Sequence, residues 1–246
     1  MNAHFKKKLI QGDLLRGTII TLSSTEIVEI FSQAGLDWLF IDLEHSALSI
    51  SDAKILLQVA GNRIPCLLRV PSNNDTWIKK ALDIGPSGII VPQVHSAEDV
   101  KRAVQFCKYP PEGTRSVGIA RAQGYGAKFQ DYVASANDAT SVIIQIEHID
   151  AVANIEKIIT VPGIDCLFIG PYDLSASMGK IGLTTDPDVQ LAISKVARAA
   201  EQAQIPLGIF GATAEAVDPY IQSGYTLIAI GIDSMLIANA AEGIMR

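Results

Sequence analysis

The chain has no excess of positive charge. Its 246 residues include 20 lysines and arginines against 26 aspartates and glutamates, which gives a net charge of −6 and a pI near 5.2. One short basic run, Lys6–Lys8, lies near the N-terminus, and we interpret it as a solvated segment. Surfaces that bind nucleic acid carry a basic stripe, so we expect no nucleic-acid partner.

Long apolar stretches and paired cysteines are also missing. No segment approaches 18 uncharged apolar residues, which predicts no membrane span, and no 7–15-residue apolar core follows the N-terminal lysines, which predicts no secretory signal. The three cysteines, Cys66, Cys107 and Cys166, form no CxxC pair. We therefore expect buried free thiols and a cytoplasmic protein.

What the chain does have is a recurring short apolar run, rich in β-branched residues and followed each time by an amphipathic segment. Such runs are typical of parallel strands that are covered on both faces. They lie at 17–22, 38–45, 64–70, 88–94, 141–147, 166–174, 206–210 and 226–232.

Eight such strand–helix units in about 250 residues predict an α/β fold, a single (β/α)8 barrel domain over residues 1–246. An open doubly wound sheet is the alternative, but the turn after the first run has no GxGxxG. Residues 110–140 are too long for an ordinary loop, and we interpret them as an excursion over the barrel mouth.

Polar residues close at least five of these apolar runs. Barrel enzymes place their chemistry at the carboxyl ends of the strands, and packing does not explain so many polar residues there. We interpret Glu44 as a partner for a neighbouring residue, and Asp233 as either a site residue or a helix cap. His95 and His148 receive no role. The run-ending residues are Asp42, Glu44, His45, Arg69, Gln93, Gln145, Glu147, Asp173 and Asp233.

Glu147 and Asp173 follow adjacent predicted strands, so their side chains are expected within a few ångströms of each other. Two carboxylates that close share a proton or hold a cation. Carboxylates with few other protein ligands suit Mg²⁺, Mn²⁺ or a similar ion, and zinc is disfavoured without a histidine or cysteine beside them.

Arg69 and His45 complete a set that suits enolate chemistry. A fixed guanidinium binds a substrate carboxylate or a developing enolate, and an imidazole moves protons near neutral pH. Asp42 would orient His45, provided that the chain turns at 43–45. None of the twelve lysines closes an apolar run, which disfavours a Schiff base.

Five segments of the chain together resemble the HpcH/HpaI aldolase family, the metal-dependent pyruvate aldolases. The resemblance extends from about residue 12 to residue 240. Its segments are "GLDWLFIDLEHS" (35–46), "LLRVPSNNDTWIKKALDIGPSGIIVPQV" (67–94), "YPPEGTRSVG" (109–118), "IIQIEHIDAVANIEKI" (143–158) and "VPGIDCLFIGPYDLSASMG" (161–179).

The resemblance implies a barrel that assembles as a hexamer with its last helix exchanged between subunits. It implies reversible cleavage of 4-hydroxy-2-oxo acids to pyruvate and an aldehyde, with a divalent metal ion (Mg²⁺, Mn²⁺ or Co²⁺). By this resemblance, Glu147 and Asp173 would be metal ligands, and His45, paired with Asp42, would be the acid/base. Arg69 would stabilise the enolate, and Gln145 would lie in the pocket. The backbone amides of Tyr172 and Asp173 would bind the pyruvate carboxylate, and Asp83 would have a supporting role near the subunit contact.

Three departures from the family pattern flank the predicted pocket. Tyr172 stands where relatives that cleave sugar acids usually have alanine, Ser116 where glycine is common, and 180–190 differs from the usual loop. Because of these departures, the resemblance does not define which aldehyde the enzyme would release. Two other functions stay open at this point: a related enolate-forming lyase that acts on an acyl-CoA or decarboxylates oxaloacetate, and a non-catalytic barrel that binds a small acid.

Overall fold

The computed structural model describes residues 3–245 and contains a closed barrel of eight parallel strands. Each strand pairs with the next in the chain, and β8 pairs with β1, so the predicted (β/α)8 barrel is confirmed. The strands are β1 (Leu15–Ile20), β2 (Trp38–Asp42), β3 (Cys66–Arg69), β4 (Gly88–Val91), β5 (Ser141–Ile146), β6 (Cys166–Ile169), β7 (Leu207–Gly211) and β8 (Leu227–Ile232).

Twelve α-helices accompany these strands within the described residues. They begin where the sequence offers caps: the side chain of Ser96 accepts the N–H of Asp99, and Pro187 occupies a first-turn position after Asp186. The helices are α1 (Ala3–Gln11), α2 (Thr25–Gln33), α3 (Ile50–Ala60), α4 (Asp75–Asp83), α5 (Ala97–Cys107), α6 (Phe129–Ala139), α7 (Ile149–Ala153), α8 (Ile155–Ile158), α9 (Pro171–Ser177), α10 (Pro187–Gln202), α11 (Ala214–Gln222) and α12 (Asp233–Ile244).

A cluster of aromatic rings lies in the barrel interior among aliphatic side chains. Trp38 and Phe40 stack with centroids 6.0 Å apart, and Phe168 meets Phe40 edge-on at 5.9 Å. Glycines make room for these rings, since a Cβ at Gly17 would lie 2.7 Å from Nε1 of Trp38, and one at Gly208 would lie 2.5 Å from Cδ2 of Phe168. The aromatic layer is the floor on which the polar residues of the mouth rest.

Helix α1 closes the amino end of the barrel. Its Phe5 and Leu9 are buried against the interior residues, and Lys6 forms an ion pair with Asp165 at 2.9 Å. The Lys6 ammonium also donates to the carbonyl of Thr140. The interpretation of Lys6–Lys8 as a solvated segment is therefore wrong for Lys6. Two apolar side chains one helical turn apart anchor this helix, and Lys6 follows them into the protein.

The segment 110–140 does not cover the barrel mouth, so that interpretation is wrong. Arg115 donates to the Asp83 carboxylate at 2.8 Å, and Arg121 donates to the carbonyls of Ile84 and Leu57. Those partners lie at or near the C-termini of α4 and α3. Barrel helices run antiparallel to the strands, so their C-termini lie at the amino end, opposite the predicted site.

Two further features of the described residues bear on the sequence predictions. The three cysteines are buried and unpaired, as expected. None of the helices combines the length and the apolar character that crossing a bilayer requires.

Candidate active site

A cavity of about 360 Å³ opens at the carboxyl ends of the strands. Five of the predicted polar residues line it: Asp42, His45, Arg69, Gln145 and Asp173. Phe40 and Phe168 form its floor, and the Cζ atom of Arg69 lies 5.2 Å from the centre of the Phe40 ring. The side nearest β1, β7 and β8 is apolar and includes Ile19, Phe210, Ile232 and Met235.

Asp42 and Arg69 form a two-pronged ion pair on this floor. Nε of Arg69 donates to Oδ1 of Asp42 at 2.9 Å, and Nη2 donates to Oδ2 at 2.6 Å. Both residues are buried and are paired in register as the last residues of β2 and β3. The backbone N–H groups of Glu44 and His45 also donate to Oδ1 of Asp42.

The expected pairing of Asp42 with the His45 ring is not what the structure shows. The chain does turn after Asp42, but the turn directs the backbone of His45, and not its imidazole, toward the carboxylate. The His45 side chain is 61% exposed, and its Nε2 lies 3.9 Å from Oε2 of Glu44. Arg69 takes the position beside Asp42 because it closes the adjacent strand at the same level.

Glu44 is a buried member of the site. Its side chain is 6% exposed, and Oε2 lies 3.3 Å from Nε of Arg69, while Oε1 accepts a hydrogen bond from Nε2 of Gln93 at 2.9 Å. Burial raises the pKa of Glu44, while the charge of Arg69 lowers it. Oε2 has no hydrogen-bond partner among the described residues, although it is buried. The expectation that Glu44 pairs with a neighbour is met by Arg69 and Gln93.

Glu147 lies just beyond β5 and is also buried. Its Oε1 accepts the backbone N–H of Gln93 at 2.6 Å, and its Oε2 accepts a short hydrogen bond from Nε2 of Gln145. Burial raises the pKa of Glu147 to about 7, and the charges of Glu44 and Asp173 act in the same direction. Oε1 of Gln145 is buried without a partner in the described part of the chain. The site around Glu147 therefore contains two buried oxygens without a hydrogen-bond partner in the described part of the chain, Oε1 of Gln145 and Oε2 of Glu44.

Asp173 lies in the first turn of α9 and is exposed to the cavity. Its charge contributes to the raised pKa of both Glu44 and Glu147. Gly170 precedes this helix and leaves space, because a Cβ there would lie 3.1 Å from both Nε2 of Gln145 and Cβ of Glu147. The ring of Tyr172 faces the apolar side, with its centre 5.9 Å from that of Phe210.

A second cavity of about 340 Å³ adjoins the first along His45 and Asp173. It is lined by Glu44, Gln93, Glu147 and two histidines, His95 and His148. Within residues 3–245, one ligand atom from each of His95, His148 and Asp150 lies within 4.8 Å of the others. The sequence indicated no role for either histidine.

Positive charge is sparse at the barrel mouth. Arg69 is the one lysine or arginine that lines either cavity among the described residues. Arg115 and Arg121 lie at the amino end with Asp83. A coenzyme A substrate would require cations for its phosphates, and this distribution does not provide them at the mouth.

Comparison with known proteins agrees with this geometry. The family model described as HpcH/HpaI aldolase/citrate lyase matches residues 17–240. The chain belongs to this family. It is an enzyme, a carbon–carbon lyase of the aldolase type, as relatives over nearly its whole length show.

Two curated relatives illustrate the range of similar proteins. The 2-dehydro-3,6-dideoxy-6-sulfogluconate aldolase of Pseudomonas putida is 39% identical, with 92% of this chain and 89% of that protein covered. The hydroxypyruvate/pyruvate aldolase of Paraburkholderia phytofirmans is 37% identical, with 96% and 94% covered. A crystal structure of a family protein from Burkholderia cenocepacia superposes with a TM-score of 0.95 at 33% identity, covering 99% and 98% of the two chains.

Gln93 is a site residue to which the sequence assigned no role. Its φ of +54° lies in the left-handed region, which side chains other than glycine rarely adopt. This conformation directs its N–H to Glu147 and its side-chain amide to Glu44, so that one residue bridges two carboxylates. Its position at the end of an apolar run was the available signal.

Proposed function

We propose that this HpcH/HpaI family member is a metal-dependent aldolase that reversibly cleaves a 4-hydroxy-2-oxo acid to pyruvate and an aldehyde. The observation that carries the proposal is the buried guanidinium of Arg69, fixed by Asp42 beside the carboxylates of Glu44 and Glu147. A keto acid bound there would have the Arg69 guanidinium beside its oxygen, and the neighbouring carboxylates would provide oxygen ligands for a metal ion. Relatives whose names describe aldolases of 2-oxo acids support the reaction class.

The residues fit a hard divalent ion. Glu147 and Asp173 would hold it, and the buried, unpartnered oxygens of Gln145 and Glu44 lie in the same site. Oxygen donors of this kind suit Mg²⁺, Mn²⁺ or Co²⁺. When bound, such an ion supplies Lewis acidity toward the keto oxygen of the substrate.

Arg69 would stabilise the negative charge that develops on the C2 oxygen as the C3–C4 bond breaks. Its two bonds to Asp42 and its place over Phe40 fix the guanidinium before substrate arrives, so that little reorganisation is needed. A buried, preorganised cation of this kind acts in a low dielectric, where its interaction with an oxyanion is strong.

His45 would move the proton at the C4 hydroxyl. In cleavage the proton leaves this oxygen, the C3–C4 electron pair passes to the enolate, and the aldehyde departs; C3 is then protonated to give pyruvate. The exposed imidazole at the edge of both cavities has access to solvent for proton exchange. The backbone amides around Tyr172 and Asp173 would bind the pyruvate carboxylate.

The apolar side of the first cavity points to an uncharged aldehyde. Ile19, Phe210, Ile232 and Met235 surround the space beyond Arg69, and Tyr172 completes the wall. An anionic aldehyde tail there would lose its hydration without a second cation to pair with. We therefore favour an aliphatic or aromatic aldehyde.

We further propose that the enzyme is a cytoplasmic homo-oligomer, a hexamer with α12 exchanged between subunits. Three consecutive apolar residues of α12, Met235, Leu236 and Ile237, are 40–50% exposed, and apolar exposure around this helix favours its burial against a partner. Asp83 is held by Arg115 at the amino end of the barrel, so its supporting role would be exerted on a neighbouring subunit's site.

The proposal is tested by pyruvate release from a panel of 4-hydroxy-2-oxo acids with uncharged tails. Removal of metal by EDTA should abolish release, and Mg²⁺, Mn²⁺ or Co²⁺ should restore it. Glu147→Gln should abolish activity together with metal binding, while Glu156→Gln, on the exposed side of α8, is the matched control. Full activity in thoroughly metal-free protein would reject the proposal.

A further inference from the structure

The loops that follow β4 and β5 bring two histidines together on the rim of the second cavity. His95 precedes α5 and His148 caps α7, and their rings stack with centroids 4.3 Å apart and planes inclined by 9°. Because β4 and β5 are paired in the sheet, these loops are held side by side by the barrel itself. The pair is part of the scaffold rather than a chance contact between distant segments.

The backbone of His95 is anchored while its ring is not. Its N–H donates to the carboxylate of Asp99 at 3.1 Å, and its carbonyl accepts from the side-chain amide of Asn154 at 3.0 Å. Within residues 3–245 neither ring nitrogen of His95 has a hydrogen-bond partner. A half-buried imidazole with both nitrogens unshared is free to bind a ligand.

His148 already has a carboxylate beside it. Its Nδ1 accepts the backbone N–H of Asp150 at 3.1 Å and lies 3.4 Å from Oδ2 of the same residue. One donor atom from each of these two residues and from His95 falls within 4.8 Å of the others. Donors around a tetrahedral ion are about 3.4 Å apart, so modest side-chain rotations close the group around an ion.

We propose that His95, His148 and Asp150 form a second metal site, specific for transition ions such as Zn²⁺, Ni²⁺ and Co²⁺. Imidazole nitrogens select these ions over Mg²⁺, which prefers oxygen. The site is chemically distinct from Glu147 and Asp173 although it opens on the same cavity. Three protein ligands leave at least one coordination position open.

The test is Zn²⁺ binding to the full-length, metal-free protein in excess Mg²⁺, measured by competition with a chromophoric chelator and by zinc content after gel filtration. We expect one zinc per chain. His95→Ala should weaken zinc binding at least about tenfold, and so should His148→Asn, which keeps an acceptor for the α7 cap. His4→Ala, on the exposed side of α1, should bind zinc as the wild type does.

Glu147→Gln separates this proposal from the proposed aldolase site. If the histidines hold the zinc, Glu147→Gln retains it in Mg²⁺ even though aldolase activity is lost. Absence of zinc uptake by the wild type in Mg²⁺ would overturn the proposal. So would unchanged zinc binding in both histidine variants, or a loss in Glu147→Gln as large as that in His95→Ala. Because the readout is binding, it stands whether or not the enzyme cleaves the acids tested.

Discussion

Arg69 and Asp42 are bound to each other by two parallel hydrogen bonds, at 2.9 and 2.6 Å, between the last residues of neighbouring strands. The planar guanidinium matches the carboxylate atom for atom, which an ammonium does not. The pair thereby fixes the directions in which the remaining N–H donors of Arg69 point. Under the proposed function, the orientation of the substrate would depend on this geometry.

Arg69→Lys should therefore lower kcat for 4-hydroxy-2-oxo acid cleavage by about 100-fold or more, because the oxyanion loses a fixed donor. Mn²⁺ affinity, measured by calorimetry, should stay within about twofold, since a positive charge is retained. Arg102→Lys replaces an exposed arginine paired with Asp99 and should change neither quantity. Turnover that survives Arg69→Lys intact would contradict the proposed role.

The raised pKa of Glu147 makes a prediction about the stability of metal-free protein. A carboxyl whose pKa is about 7 when folded and 4.5 when unfolded favours folding below pH 4.5, and that contribution is lost as the pH rises through 7. It amounts to about 3 kcal/mol at most. Urea unfolding in EDTA should show wild type losing stability relative to Glu147→Gln between pH 5 and 8.

Glu156→Gln is the control for this comparison and should follow the wild type across the pH range. Excess Mn²⁺ at pH 8 should raise the free energy of unfolding of the wild type but not of Glu147→Gln, because an ion that binds the folded state stabilises it by mass action. If the free energies of unfolding of wild type and Glu147→Gln changed in parallel with pH, burial would not raise the pKa of this carboxyl.

The left-handed backbone of Gln93 should be required for the metal site. A β-branched residue resists a φ of +54°, so Gln93→Val should cost about 1–3 kcal/mol and displace the N–H that Glu147 accepts. We expect Mn²⁺ affinity to fall about tenfold or more. Gln204, an exposed residue before β7 with a φ of +56°, has the same residue type and backbone conformation and serves as the control.

Gln204→Val should lose similar stability in thermal unfolding and keep its Mn²⁺ affinity. Gln93→Gly should restore the backbone conformation while removing the bond to Glu44, and its metal affinity should lie between those of wild type and Gln93→Val. Equal effects of the two valine variants on Mn²⁺ affinity would mean that Gln93 acts only through stability.

Tyr172 should select for the aldehyde. Its ring extends the apolar wall beside Phe210, so Tyr172→Ala should lower kcat/KM for products of branched or aromatic aldehydes by about tenfold. Substrates derived from the smallest aldehydes, which do not reach the wall, should change less than about twofold. Tyr172→Phe keeps the ring and serves as the control. A uniform loss across the panel would instead point to carboxylate binding near Tyr172.

The barrel could be predicted from the sequence because nearly all strand residues are buried, on both faces of the sheet. Leu167–Ile169 and Ile89–Val91, for example, are completely covered, and uninterrupted apolar runs are the result. Alternation of runs and capped helices then determined the order of the elements. The amino-end elements were misplaced because sequence spacing does not tell at which end of a barrel a long connection folds back, and because α1 is amphipathic like a surface helix.

The site could be predicted from the sequence only in part. Polar residues that end apolar runs marked the mouth correctly for Asp42, Arg69, Gln145 and Glu147. Their partners depend on the register between strands. Asp42 and Arg69 are paired across β2 and β3, whereas proximity along the sequence had suggested His45 as the partner of Asp42. The burial of Glu44 and the bridging by Gln93 follow from backbone turns beyond the strands, which composition does not encode.

Asp233 is completely buried, and its carboxylate accepts hydrogen bonds from the backbone N–H groups of Thr21 and Leu22 and from the Thr21 hydroxyl. It is a structural residue at the first position of α12, outside both cavities. This side chain thus adds a second link between the first and the last strand, which also pair through their backbones. Because this link lies at the start of α12, the rest of the helix could move away from the barrel without separating β1 from β8.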